Sequence, residues 1–69
     1  MNREIIFAVY NNNIKSYIAY FKHEDDAIKE VKIQYDLYRQ SYPYAVLNEL
    51  NQVVYNDKKI ILIHPIVLQ

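Results

Sequence analysis

The chain contains no glycine in its 69 residues. Glycine takes positive φ without strain and lets other groups approach the backbone closely. Its absence excludes the phosphate-binding P-loop, the dinucleotide fingerprint, the nucleophile elbow, the EF-hand loop and the KH clamp, all of which are built on glycine. Tight turns must instead use asparagine, the next most tolerant residue. Asn11 to Asn13 and the pair Asn56 and Asp57 supply it, and each is expected to join two strands.

A chain of this length makes one domain, residues 1–69, and buries only about 60% of the surface that its unfolded form exposes. Small domains usually add disulfides, a metal or a partner subunit. Cysteine is absent, which removes disulfides and thiolate metal sites. Stability must then come from the 52% hydrophobic content or from self-association, and both are expected. Asn, Ile, Lys and Tyr account for 31 of the 69 residues. Their codons are A/T-rich, which points to a low-GC bacterium, its phage or plasmid, or an AT-rich virus.

The formal net charge is zero, from eight basic and eight acidic residues. A dedicated nucleic-acid binder carries a basic excess to replace phosphate counterions, and an acidic mimic of DNA carries the reverse. Neither fits. The opening "MNREIIFAVY" sets Arg3 beside Glu4 ahead of a short apolar run. It matches no signal peptide or membrane span, and a cytoplasmic protein is expected.

Ile5 to Tyr10 is rich in β-branched and aromatic residues and reads as a strand. Ile14 to Phe21 reads as its hairpin partner. Strict alternation would set Tyr17, Ala19 and Phe21 on one face and Ile14, Ile18 and Tyr20 on the other. From His23 the period changes. Ile28, Val31, Tyr35, Tyr38 and Tyr42 recur at spacings of three and four, one stripe of an amphipathic helix. Glu24, Asp25 and Asp26 crowd its start and Arg39 lies near its end, as the helix dipole favours. Pro43 disfavours helical geometry at Tyr42 and should stop the helix there. "YAVLNEL", "QVVY" and "KIILIHPIVL" then read as two strands, or one long strand followed by another, broken at Asn56 to Lys59. Pro65 removes a ladder donor, so the last strand should lie on an edge or end there. The expected fold class is α+β: a small β-β-α-β-β domain, mainly antiparallel, with one helix on one face of the sheet.

Four tyrosines fall within "YDLYRQSYPY", residues 35 to 44. Three of them share the helical stripe of Ile28 and Val31, so they are read as core and rim, with ring buried and hydroxyl at the water boundary. The alternative is a stacking platform for single-stranded nucleic acid, which needs a basic groove beside the rings. The cations Arg3, Lys15, Lys22, Lys29, Lys32, Arg39, Lys58 and Lys59 are scattered and form no such stripe.

Across the helix from that stripe, Ile33 and Leu37 stand four residues apart among Glu30, Asp36 and Gln40. A contact seam formed by Ile33, Leu37, Glu30 and Gln40 is expected, for a twin subunit or another protein. Full burial of each apolar side chain would contribute about 1.5–3 kcal/mol. The first and last strands are apolar on both alternating sets, yet one helix covers only one face of a sheet.

No catalytic or metal site is expected. The run "HEDD" at residues 23 to 26 has ligand chemistry, but neighbouring positions on a helix point in different directions and cannot close on one ion. His64 could act as a general base, although no carboxylate or nucleophile lies near it in sequence, and Ser16 and Ser41 have no recognisable setting. The residues describe a non-enzymatic protein without a cofactor that binds another protein, itself, or both, through the helix seam or a free sheet edge. A phage- or mobile-element-encoded modulator of a host enzyme or defence complex is one form of it. A small nucleic-acid-binding protein and a subunit of a larger assembly are the alternatives.

Overall fold

The computed structural model describes residues 3–68. Its elements are β1 (Glu4–Asn11), β2 (Ser16–Phe21), α1 (Glu24–Ser41), β3 (Val46–Leu47), β4 (Val53–Tyr55) and β5 (Lys58–Leu68). The strands form one antiparallel sheet in the order β2-β1-β5-β4-β3. The expected β-β-α-β-β course is therefore present, with the second half divided more finely: "YAVLNEL" contributes only the two-residue β3.

Turn chemistry explains where the strands stop. Asn56 and Asp57 have φ of 51° and 61° and link Tyr55 to its ladder partner Lys58. That is a two-residue turn with both central residues left-handed, the form whose twist suits a hairpin. The first turn differs from expectation. β1 runs through Asn11, and the positive φ falls on Lys15, at 53°. Asn11 holds the turn from its first position, its Oδ1 accepting from the backbone N–H of Asn13 at 2.9 Å and of Ile14 at 3.3 Å. Asn48 organises the β3–β4 connection similarly, accepting from the N–H of Leu50 at 3.0 Å and of Gln52 at 2.9 Å.

The helix begins at His23, whose carbonyl accepts from the N–H groups of Asp26 and Ala27. Its three acidic residues sit at the positive end of the dipole. It ends at Tyr42, which adopts φ −131° and ψ 78°, as the following proline requires. Ala27 and Val31 are fully buried, with Val9, Ala45, Val53, Ile60 and Ile61. Phe7, Ala19, Phe21, Tyr35, Tyr38, Leu47, Tyr55 and Ile63 close around them. The core thus occupies only the helix side of the sheet.

One sequence expectation needs correction and another refinement. The ladder pairs Val9 with Ala19 but Tyr10 with Tyr17, so Ile18 is an extra residue on β2. This bulge shifts the alternation and places Tyr17 on the same face as Tyr20, not opposite it. Pro65 does not end the last strand, which continues to Leu68 in the middle of the strand order. The proline is tolerated because β4 pairs only with Lys58 to Ile61. Beyond that point β5 has β1 on one side and no strand on the other, so it is locally an edge.

Candidate interaction surface

β1 pairs with β5 along its whole length, from Glu4 opposite Leu68 to Asn11 opposite Ile61. Strand geometry sends alternate side chains to opposite faces. Phe7, Val9, Ile61 and Ile63 face the helix. The intervening residues, Ile6, Ala8, Tyr10, Leu62, His64 and Ile66, face away from it, and Tyr17 and Tyr20 of β2 join them. None of these eight is Lys, Arg, Asp or Glu. No element of the described chain covers this face.

Its centre is an aromatic cluster. The Tyr10 ring stacks on His64 with centroids 5.1 Å apart and meets Tyr17 edge-on at 5.0 Å. Tyr17 packs against Tyr20 at 5.8 Å. The Tyr17 hydroxyl is hydrogen-bonded to Nδ1 of His64 at 3.1 Å. Ala8 pairs with both Tyr20 and His64 and is fully buried, because the larger residues around it close over the gap. Tyr20, at 58% exposed, and Tyr17, at 40%, form the prominent part.

The tyrosine-dense segment has a different part. Tyr38 and Tyr42 stack at 4.5 Å, and both rings meet Tyr55 of β4. Tyr35 packs against the core while the Arg39 guanidinium lies 5.3 Å from its ring centroid. These rings fill space between the end of the helix and the sheet. Only Tyr44, 86% exposed, projects freely.

Ile33 and Leu37 are 53% and 54% exposed. Of their expected neighbours, Gln40 is exposed and Glu30 is half-buried, its carboxylate accepting from Gln34 Nε2 at 2.7 Å. Leu37 lies nearer the sheet than the helical wheel suggests. With Asn11, Gln34, Tyr38, Ser41, Tyr42 and Ile61 it lines an open concavity of about 240 Å³, below the roughly 300–1,000 Å³ usual for ligand pockets.

Sheet edges offer less than the faces. β2 is bulged at Ile18, the unpaired stretch of β5 contains Pro65, and β3 has two residues. Each is a feature that blunts strand addition. Among the described residues, no three His, Asp or Glu side chains converge as metal ligands, and no helix is long and apolar enough to cross a membrane.

The sequence reading missed the Tyr10, Tyr17, Tyr20 and His64 cluster. The doubly apolar character of β1 and β5 was the available signal, whereas the bulge that brings Tyr17 into the cluster leaves no mark in residue type. Comparison of the chain with protein-family models, curated proteins and solved structures gives no match, so the reading of function rests on this geometry.

Proposed function

We infer that this chain is a non-enzymatic protein-interaction protein that acts by presenting the uncovered face of its sheet to another polypeptide. One observation carries the reading: the helix covers one side of the sheet, and the uncovered side carries apolar and aromatic residues without formal charge across its centre. Antiparallel sheets that keep one face in water alternate apolar and polar residues, and β1 and β5 do not. Interface centres are enriched in tyrosine and depleted of charge, which matches Tyr10, Tyr17 and Tyr20 among Ile6, Leu62 and Ile66.

A nucleic-acid platform would use the same rings, but it needs cations beside them, and this face has none among its eight central residues. The Ile33 and Leu37 pair is a second, smaller contact surface. A steric modulator of a host enzyme or defence complex, encoded by a phage or mobile element and acting in the cytoplasm, is the biological form that size and codon vocabulary favour. A subunit of a larger assembly would use the same face.

The test is a photo-crosslinking amino acid placed at position 20 or at position 44 in the cells that make the protein. Adducts from position 20 and not from the more exposed position 44 are expected. Equal labelling at both positions, or none at position 20, would overturn the reading.

A further inference from the structure

The chain is less compact than a free-standing domain of its size. A folded monomer of 8.3 kDa is expected to expose about 4,600 Å², whereas this one exposes 5282 Å². The radius of gyration is 12.5 Å and the longest dimension 45 Å, against about 11 Å expected for the radius of a compact chain of this length. Much of the elongation lies in the β1–β5 ladder, whose far end carries Ile5, Val67 and Leu68 exposed.

We propose that a second copy of the chain covers the open sheet face, giving a two-fold symmetric dimer with the two sheets packed face to face and the helices outside. The proposal rests on the reading that this face is a contact surface and names its occupant. Three features fit a copy of the same chain. An interior without formal charge meets itself across a two-fold axis without like-charge repulsion. The ladder places Glu4 at one end of the face, opposite Leu68, and Lys59 at the other, opposite Val54. A two-fold axis that reverses strand direction therefore brings each near the other's opposite charge, while Lys22 lies beyond the end of β2. Finally, the Tyr17 hydroxyl and Nδ1 of His64 already pair with one another, so those two atoms keep a partner when the middle of the face is desolvated. Sheets packed in this way lie about 10 Å apart, a spacing that interdigitated tyrosine rings fill.

Light scattering coupled to size exclusion, over a hundredfold range of concentration, tests the proposal on three chains. The native chain is expected to move toward twice 8.3 kDa as concentration rises. Tyr20→Lys should remain at the monomer mass, and Leu37→Glu should behave as the native chain does. Circular dichroism confirms the fold of each variant, and Ile66→Lys replaces Tyr20→Lys should the latter unfold. A native chain that is monomeric throughout overturns the dimer. So does a dimer broken by Leu37→Glu and left intact by Tyr20→Lys. A monomeric chain that still crosslinks from position 20 to a different protein overturns the dimer alone and leaves the contact-surface reading standing.

Discussion

The Tyr17 hydroxyl and Nδ1 of His64 lie 3.1 Å apart although 47 positions separate them in the chain. Three ladder features bring them together: β1 between their strands, the Ala8–His64 pairing of β5, and the Ile18 bulge of β2. The pair fixes the His64 ring against Tyr10 and sits in the middle of an uncovered face. In water, such a bond contributes little, because solvent offers equivalent partners. Under a partner it lowers the penalty for burying the Tyr17 hydroxyl and Nδ1 of His64.

Tyr17→Phe therefore separates the two settings. Thermal unfolding at low concentration should change by no more than about 0.5 kcal/mol. Association should weaken about tenfold, equivalent to about 1.4 kcal/mol, because His64 is left unpaired at the contact. Light-scattering titration of the two chains reads the difference. Equal association would remove His64 and Tyr17 from the contact.

Lys15 holds φ 53° without being glycine, a conformation that costs roughly 1–2 kcal/mol for an ordinary residue. Lys15→Gly relieves that strain but loosens the unfolded chain by about 0.4–1 kcal/mol. A net gain on the order of 0.5–1 kcal/mol is expected, raising Tm by about 2–8 °C. Asp57→Val should do the opposite, since a β-branched residue at its φ of 61° is strongly disfavoured. A melting curve of each variant checks both directions.

Most of the architecture was legible from residue type. The Val31 stripe marked the helix, Pro43 its end, and Asn56 with Asp57 the second hairpin. These are local signals, each set by neighbours within a turn or two. What could not be read were features created by pairing between distant strands. Residue type does not show that β5 runs alongside β1 past Pro65, or that Ile18 is squeezed out of register. The seam residues Ile33 and Leu37 are exposed, as the wheel suggests, but Leu37 also borders the concavity lined by Tyr38, Tyr42 and Ile61, a placement that depends on how the helix sits on the sheet. The dense tyrosines of residues 35 to 44 were legible as core and rim, since the spacing of Tyr35, Tyr38 and Tyr42 is that of a core stripe.

The core makes a sharp contrast with the helix seam. Ile61 is 1% exposed and touches the centre of the packing. Ile61→Ala should lose about 2–5 kcal/mol, a large share of the roughly 3–10 kcal/mol that a chain this size holds. Ile33→Ala should fall within about 0.5 kcal/mol of the native chain. Urea unfolding monitored by circular dichroism, with all chains at the same concentration, gives both values.

The rings of the open face lack the cations that a nucleic-acid platform uses. Labelled single-stranded oligonucleotides should show no salt-sensitive shift at micromolar protein. A shift that weakens steeply as salt rises would mean that phosphate contacts form elsewhere on the chain, and would put the nucleic-acid reading ahead of the protein-contact one.

The most direct test of the central claim is an isotope-filtered NOE experiment on a mixture of labelled and unlabelled chain at high concentration. It detects side chains that touch across two molecules without altering either. Contacts from the Tyr20 ring and the Ile66 methyl groups to the open face of another copy are the expected result. Absence of any intermolecular contact there, with the same signals fully accessible to a soluble paramagnetic chelate, would contradict the account.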